Sequence, residues 1–226
     1  MNSLFQKPLT IITGHYGSGK TEIAVNLAIA AAKSYQVVLA DLDIVNPYFR
    51  SREQLNKLKP YHVEVIGSAL MNSTLELPAL TYNVIAKKNQ ENTRTIIDLG
   101  GDGIGAKQMS KYSKSIHLAE YELFLVVNVN RPETKHCEGV LFHKESIEQQ
   151  SNMKITGILN NTHLLKETTE EDVFRGMTIC QQVSQKTKIP FLGSFALETL
   201  SRQMMKKKLQ KPVWPIELHM REQWMS

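Results

Sequence analysis

The feature that most constrains the fold is a glycine-rich segment near the start of the chain. It matches the pattern G-x-x-x-x-G-K-[ST] and runs Gly14-His15-Tyr16-Gly17-Ser18-Gly19-Lys20-Thr21. An apolar strand pattern at residues 9–13 precedes it, and an alanine-rich helical pattern at residues 21–33 follows it. This pattern binds nucleotide phosphates when a strand leads into it and a helix leads out. The segment therefore predicts a phosphate-binding loop in an α/β domain.

Each residue type in this loop suits a phosphate ligand. Gly17 and Gly19 let the backbone turn its N–H groups inward, and the following helix adds the positive end of its dipole. We expect Lys20 to reach the β- and γ-phosphates and the Thr21 hydroxyl to ligate Mg²⁺. All eight residues from Gly14 to Thr21 are therefore candidate nucleotide ligands, and Lys20 is also a candidate catalytic residue.

Strand-like and helix-like patterns alternate along the rest of the chain. Several apolar runs are continuous, which is typical of strands buried on both faces of a parallel sheet. The expected strands are 9–13, 36–40, 62–66, 93–99, 122–129, 154–159 and 191–195, and the expected helices are 21–33, 52–58, 106–120, 133–149, 170–185 and 198–210. These patterns predict a three-layer α/β fold with a mostly parallel central sheet flanked by helices. We expect residues 1–226 to form one domain, with 68–88 as an insertion and 211–226 as a C-terminal tail.

Composition narrows the class of protein further. The chain is 42% hydrophobic and 22% charged, as globular proteins are. Its net charge of +5 suits a phosphate-bearing ligand or an acidic partner, or is simply scattered over the surface. Cys137 and Cys180 form no C-x-x-C pair, which favours a reducing compartment. Residues 1–8 lack a signal-peptide pattern, and no run approaches the ~20 apolar residues of a membrane span. We expect a cytoplasmic protein.

Acidic residues follow two of the expected strands. Asp41 and Asp43 follow the second strand, and Asp98 is the last residue but one of the strand pattern at 93–99, which runs into Gly-Gly-Asp-Gly. Carboxylates at the carboxyl ends of parallel strands point into the ligand crevice. We expect one of Asp41 and Asp43 to help hold Mg²⁺ while the other orients the attacking water, and Asp98 to contact Mg²⁺ through water. Gly100 or Gly101 could donate an amide to the γ-phosphate. Turn formation is the alternative interpretation of both segments.

With these sites in order, the chain resembles the MinD/ParA family of Walker ATPases, within the class that includes the nitrogenase iron protein and CobQ/CobB-type enzymes. Residues 41–44 look like that family's switch I, which implies that Asp43 positions the catalytic water and leaves Asp41 for the metal. Residues 98–101 look like its switch II and imply a role for Gly101. Residues 157–161 are similar to the strand end whose asparagine contacts adenine, which points to Asn161. Residues 211–213 look like the family's closing segment.

One position departs from the family pattern. Members of the deviant type carry a second lysine near the start of the loop that contacts phosphate across a dimer, and His15 stands there in this chain. The sequence leaves open whether His15 replaces that lysine. Arg50, Arg52 and Arg131 are candidate substitutes, and each is also explained as a solvated or structural arginine.

The base is expected to be adenine. A GTPase normally needs an aspartate in an N-K-x-D segment, and neither residues 130–133 nor residues 160–163 provide one. The Asn161 side chain offers both a donor and an acceptor, which adenine can use. We therefore expect ATP, ADP and Mg²⁺ as ligands.

Several other features receive plainer interpretations. His136, Cys137 and His143 lie on one helical segment without a further ligand, and the two cysteines do not predict an iron–sulfur cluster. The run Lys206–Lys208 is typical of a solvated helix end, although nucleic acid or anionic lipid could bind there. The tail places Ile216, Met220 and Trp224 at helical spacing, and docking onto the domain is favoured over a membrane contact.

The sequence supports three functional hypotheses. The first is a slow Mg-ATP-hydrolysing ATPase that dimerises with ATP and releases an unidentified protein partner on hydrolysis. The alternative is an ATP-dependent kinase or ligase of the CobB or dethiobiotin synthetase type, with residues 68–82 binding a small carboxylate. A metallocentre-maturation GTPase is the third.

Overall fold

Strands and helices alternate along the part of the chain that the computed structural model describes, namely residues 1, 4–43, 57–67, 84–86, 90–101 and 103–220. The strands are β1 (Leu9–Thr13), β2 (Gln36–Asp41), β3 (Val63–Gly67), β4 (Thr93–Asp98), β5 (Tyr121–Val127), β6 (Gly157–Asn160), β7 (Phe191–Leu197) and β8 (Val213–Ile216). The helices are α1 (Lys20–Ala31), α2 (Gly103–Ser110), α3 (Cys137–Ser151), α4 (Glu170–Thr187) and α5 (Glu198–Met205).

The described strands form one sheet in the order β3-β2-β4-β1-β5-β6-β7-β8, and neighbouring strands run parallel throughout. The predicted three-layer α/β fold is therefore confirmed, with a sheet that is entirely parallel within the described residues. The order reverses beside β1, because β4 lies on one side of it and β5 on the other. Ligands of open α/β sheets bind at the carboxyl ends of the strands at such a reversal, and the glycine-rich loop leaves β1 there.

Strand β5 shows why the apolar runs are continuous. Leu123 and Leu125 face one hydrophobic core, together with residues of α2, α3, α4 and α5. Phe124 and Val126 face a second core, which contains the apolar residues of α1 and the N-terminal Leu4. Successive strand residues point to opposite faces, so burial on both faces makes the run from Leu123 to Val127 apolar.

The C-terminal part differs from the prediction. The helical spacing of Ile216 and Met220 suggested a helix, but Ile216 ends the short strand β8 at the edge of the sheet. Pro215 lies within that strand, and an edge strand tolerates proline because one of its sides makes no ladder hydrogen bonds. The helix expected at 198–210 ends at Met205, so that the chain can turn back into β8.

The helix expected at 106–120 is also shorter. It spans Gly103–Ser110, and two 3-10 turns, Ser113–Ser115 and Leu118–Glu120, complete the connection to β5. The expected helix at 133–149 begins with a 3-10 turn at Pro132–Thr134 before α3 starts at Cys137.

Some predictions fall outside the described residues. They concern the helix at 52–58 apart from its last two residues, the insertion at 68–88 apart from 84–86, Ile44, Arg50, Arg52 and Trp224. The assignment of the whole chain to one domain stays a prediction. Within the described ranges, no helix is both long enough and apolar enough to cross a membrane.

Candidate functional site

Three predicted site residues and one further asparagine meet at the carboxyl edge of the sheet. Asp41 is the last residue of β2 and is paired in register with Asp98, the last residue of β4. Asn128 follows β5 directly, and Asn161 follows β6 directly. Because all strands run parallel, these four ends surround the loop that joins β1 to α1. Residues up to 120 positions apart are thus brought to one crevice, roughly as the sequence pattern predicts.

The loop has the backbone shape that a phosphate cradle requires. Gly17 and Gly19 have φ values of 75° and 80°, in the left-handed region that glycine adopts without steric cost. Helix α1 starts at Lys20, and no side chain caps its N-terminus, so its first N–H groups are available to an anion. The Ser18 amide donates to the His15 carbonyl at 3.0 Å and is therefore already used in this state.

A buried ion pair lies under the loop. The Lys20 Nζ atom is 2.7 Å from Asp43 Oδ2, and the two side chains are only 7% and 2% exposed. The Asp43 amide donates to Asp41 Oδ1 at 3.0 Å, which fixes the turn after β2. The lysine expected on phosphate is therefore paired with the aspartate expected to orient water. A phosphate that takes Lys20 would have to displace Asp43.

Asp98 is fully buried beside this pair. Its Oδ2 atom accepts a hydrogen bond from the Thr21 hydroxyl at 2.5 Å, while its buried Oδ1 atom has no partner. Burial raises the pKa of Asp98 to about 6, against the opposing effects of Lys20 and of the Thr21 hydrogen bond, and nearby Asp43 adds to the rise. An unpartnered carboxylate oxygen next to a hydroxyl fits a hard cation such as Mg²⁺.

Mg²⁺ usually takes only one or two protein ligands and completes its shell with water and phosphate oxygens. Thr21, Asp98 and Asp41 would suffice for such a partial shell. Among the described residues, no group of three His, Cys, Asp or Glu side chains is arranged to hold a metal alone. His136, Cys137 and His143 lie at the start and in the middle of α3, as helical packing predicts.

A cleft of about 860 Å³, partly open to solvent, extends from the loop towards the C-terminal strands. Its walls combine loop and helix residues with apolar residues from β7, β8 and the tail. The lining residues are Tyr16, Gly17, Gly19, Lys20, Thr21, Glu22, Arg131, Asn161, His163, Leu165, Thr168, Phe195, Ala196, Leu197, Ile216, Leu218 and Met220. Such a cleft, polar at the loop and apolar beyond it, matches the polarity of a nucleotide from phosphate to base.

Asn161 lies between the loop and this cleft. Its Nδ2 atom donates to the Ser18 carbonyl at 2.8 Å, and its Oδ1 atom is buried without a partner. One of the two N–H groups of this amide therefore holds the loop, and the amide keeps a second N–H and its acceptor oxygen. The expectation that Asn161 offers both a donor and an acceptor to a base stays a prediction.

The tail after β8 is held on α1. The Asn26 side chain donates to the Glu217 carbonyl at 2.9 Å and accepts from the Glu217 amide at 3.0 Å. The Glu22 carboxylate accepts from the amides of His219 and Met220. The predicted docking of the tail onto the domain is thus confirmed for residues 217–220, and the tail closes one end of the cleft.

His15 packs against α3, whereas Tyr16 lines the cleft at the loop. The His15 ring packs against the ring of His143 in α3, with 4.5 Å between centroids, and its Nδ1 atom lies 3.9 Å from Glu133 Oε2. Burial lowers the pKa of His143, and the nearby His15 adds to this effect. Tyr16 is 65% exposed and Phe142, which packs edge-on to His143, is 69% exposed. Both rings are exposed, Tyr16 in the loop and Phe142 on α3.

Gly101 touches the glycine-rich loop directly. A Cβ atom added at Gly101 would clash with the carbonyl oxygen and carbon of Gly14. The loop after β4 and the loop after β1 are therefore packed backbone against backbone. This contact links the two segments that were expected to bind the γ-phosphate and the β-phosphate.

Replacing Gly101 by alanine should weaken nucleotide binding by about tenfold or more, because overpacking here costs about 1–3 kcal/mol and is relieved only by moving Gly14. Titration calorimetry with ATP and Mg²⁺ measures the loss. Gly157→Ala is the matched control, since its Cβ would meet the side chains of Leu192 and Phe124 far from the crevice. Equal ATP affinity in the Gly101 variant and in the wild type would contradict the coupling.

Sequence analysis missed several residues that shape the site. Asn128 was not singled out, although it follows a strand just as Asp41, Asp98 and Asn161 do, and that position was the available signal. Its Nδ2 atom donates to the Gly17 carbonyl at 3.2 Å. Glu22, Asn26 and His163 carried no recognisable pattern. Arg131 was one of three candidate arginines, and the structure brings it to the loop, where its Nε donates to the Gly17 carbonyl at 3.0 Å.

Comparison with known proteins is consistent with this geometry. Residues 9–175 match the model of the CobQ/CobB/MinD/ParA nucleotide binding domain. Curated protein sequences gave no match. A similar fold occurs in cell division protein FtsY from Thermotoga maritima, with a TM-score of 0.60 and 20% identity over 84% of this chain and 62% of that one. The chain thus spans about three fifths of FtsY.

A second similar fold is that of a nucleotide-binding protein from Archaeoglobus fulgidus in complex with ADP and with cobalt. It has a TM-score of 0.53 and 15% identity, over 88% of this chain and 84% of that one. FtsY from Physcomitrella patens chloroplasts has a TM-score of 0.57 at 17% identity, over 84% and 58% of the two chains. At these identities the likeness extends to the fold alone.

Proposed function

The chain belongs to the CobQ/CobB/MinD/ParA nucleotide-binding domain family, and from this premise we propose that it binds and slowly hydrolyses Mg-ATP and uses ATP to drive its own dimerisation and to control a protein partner. The observation that carries the proposal is the buried cluster under the loop. There Lys20, the cation proposed for phosphate, forms an ion pair with Asp43 just after the end of β2. Thr21, whose hydroxyl is proposed for Mg²⁺, donates a hydrogen bond to Asp98 at the end of β4.

Lys20 and Asp43 supply the switching step. In the described state they neutralise each other within a buried site. A triphosphate offers Lys20 a stronger, multiply charged partner, so its arrival frees the Asp43 carboxylate. Asp43 then becomes available to orient a water molecule in line with the γ-phosphate. The nucleotide thus both binds and activates the site, and release of the products after hydrolysis returns Lys20 to Asp43.

Thr21, Asp98 and Asp41 are the residues that would hold Mg²⁺. The ion would supply charge neutralisation at the β- and γ-phosphate oxygens. The unpartnered Oδ1 of Asp98 supports this role, since a buried carboxylate oxygen without a donor is costly unless a cation or water meets it.

The free Oδ1 of Asn161 supports adenine as the base. An acceptor fixed in the cleft can receive a hydrogen bond from the 6-amino group of adenine, whereas guanine presents a carbonyl oxygen at that position and would repel it. The Archaeoglobus fulgidus protein of similar fold was solved with ADP, an adenine nucleotide. ATP is therefore proposed over GTP.

The exposed rings of Tyr16 and Phe142 support a second copy of the chain as the binding partner at the loop. Large aromatic side chains beside a nucleotide site are typical of interface cores. A face-to-face dimer would cover both rings and the phosphate end of the nucleotide.

Light scattering after size exclusion tests the proposal. With ATP and Mg²⁺, an Asp43→Asn variant that hydrolyses slowly should elute at about twice the 25.7 kDa mass of one chain, and with ADP it should elute as one chain. The double variant Lys20→Met with Asp43→Asn removes the phosphate lysine without leaving a buried charge unpaired, and should stay monomeric in both nucleotides. One mass in ATP, ADP and buffer would refute the switch, and turnover that requires a small carboxylate would favour the kinase or ligase hypothesis.

A further inference from the structure

The segment that follows β5 lies across the glycine-rich loop. Two of its side chains donate to the same acceptor, the Gly17 carbonyl, with Asn128 Nδ2 at 3.2 Å and Arg131 Nε at 3.0 Å. A carbonyl that accepts two side-chain hydrogen bonds is held firmly. The outer side of the loop is therefore fixed by residues more than 110 positions away in the sequence.

The segment itself is rigidly anchored. The Asn128 Oδ1 atom accepts the amides of Asn130 at 3.0 Å and of His163 at 3.4 Å. The Asn128 carbonyl accepts from the Thr134 hydroxyl at 2.6 Å and from the Arg131 amide at 3.2 Å. Asn128 is fully buried. The backbone of Arg131 is therefore held in place, and so is the Nε atom of its guanidinium group.

The rest of the guanidinium lies at the nucleotide cleft. Arg131 lines the same cleft as Lys20, Asn161 and His163. A side chain on Gly17 would meet Arg131 Nε at 2.6 Å and Cζ at 2.8 Å, so the guanidinium is packed directly on the loop. Among the residues that the structure describes, no carboxylate lies within ion-pair distance of Arg131, whereas Lys20 has Asp43. Arg131 is half-buried, so its charge is only partly screened.

We infer that Arg131 binds the nucleotide beyond its α-phosphate, as a second cation that acts with Lys20 in the same chain. This inference rests on the proposed function. With Nε held by Gly17, the two terminal nitrogens keep four N–H donors in one plane, which is the arrangement that suits phosphate oxygens. Arg131 would also contact the polyphosphate before Lys20 does. Lys20 must first leave Asp43, whereas Arg131 has no carboxylate to leave within the described part of the chain.

The test is a set of affinities for adenosine, AMP, ADP and ATP, measured by calorimetry with Mg²⁺. Arg131→Ala should weaken ADP and ATP binding by about tenfold to a hundredfold, the range of a charged hydrogen bond, and leave adenosine and AMP unchanged. Arg202→Ala is the matched control, because Arg202 is an exposed arginine paired with Glu198, and neither residue lines the cleft. It should bind all four ligands as the wild type does.

The Arg131→Gln variant separates the effect of the charge from the effect of the hydrogen bond that braces the loop at Gly17. The glutamine amide can still donate to the Gly17 carbonyl but carries no charge, so this variant should lose as much ADP and ATP affinity as the alanine variant. Wild-type affinity in the glutamine variant would show that only the brace matters and would overturn the inference. An equal loss for all four ligands would overturn it too, because the contact would then be to the base or ribose. If the wild type bound none of them, the proposed function itself would fail.

Discussion

Replacing Lys20 by alanine should unfold the nucleotide-free protein more readily, by about 3–5 kcal/mol, rather than merely blocking nucleotide binding. Lys20 is 5% exposed, and its partner Asp43 is 2% exposed. Removing one member of a buried ion pair leaves the other charge without compensation, which costs far more than the pair itself contributes. Buried Asp98 and Asp41 lie in the same cluster, so the variant would concentrate negative charge there. Urea unfolding at pH 7.5 without Mg²⁺ measures the loss.

The double variant Lys20→Met with Asp43→Asn is the critical comparison. It removes both charges while keeping similar volumes, and replacing a buried pair by uncharged groups is often neutral. We expect it to recover most of the lost stability but no ATP binding. Lys186→Ala is the control, because Lys186 is paired with Glu138 on the surface, where a single pair contributes little, and its unfolding midpoint should barely move. If Lys20→Ala were as stable as the wild type, the buried pair could not be the resting state.

This pair also shows where prediction from sequence ended. The motif from Gly14 to Thr21 and the strand ending at Asp98 were recognisable because their signals are local: glycines at fixed spacing and apolar runs ending in an acid. The motif, however, specifies what Lys20 contacts when phosphate is bound. Its partner without phosphate lies on another strand end, 23 residues away, and no local pattern describes that contact.

The C-terminal segment illustrates a second limit. Ile216 and Met220 are four residues apart, which fits a helix, yet Ile216 ends a strand. The path of the chain after it is set by Asn26 and Glu22, whose hydrogen bonds span about 190 residues. Such tertiary contacts override local spacing. Asn161 is similar. Its position after β6 was predictable, but the hydrogen bond from its amide nitrogen to the Ser18 carbonyl depends on the folded loop.

Asp98 should make the nucleotide-free protein less stable as the pH rises from about 4 to about 6. Its pKa is about 6 in the folded chain, against an ordinary value of 3.8, so the folded state holds the proton at a pH where the unfolded chain has released it. The stability that this proton provides is fully present below pH 3.8 and is lost above about pH 6. The two values differ by about two, which corresponds to about 3 kcal/mol.

Comparison with Asp98→Asn isolates this effect. The free energy of unfolding of the variant minus that of the wild type should grow with pH between about 4 and about 6.5 and then level off. Glu122, whose pKa burial also raises to about 6, and His143 titrate in both proteins, so their contributions cancel in the difference. Asp172→Asn is the control of opposite sign. Hydrogen bonds from Thr169 and the charge of Arg175 lower the Asp172 pKa against its burial, so that variant should lose stability relative to the wild type as the pH rises through the acid range.

Mg²⁺ should reverse the loss of stability that the ionised Asp98 carboxylate causes. Above pH 6 the ionised carboxylate is buried with Oδ1 unpartnered, so a cation that binds only the folded state would stabilise the wild type in proportion to its concentration. The Asp98→Asn variant should gain much less, because an amide oxygen is a weaker ligand for a hard cation than a carboxylate. Equal Mg²⁺ stabilisation of both proteins at pH 7.5 would remove Asp98 from the metal site. If the difference in free energy of unfolding between the two proteins did not depend on pH without Mg²⁺, Asp98 would be ionised throughout, and Lys20 alone would compensate its charge.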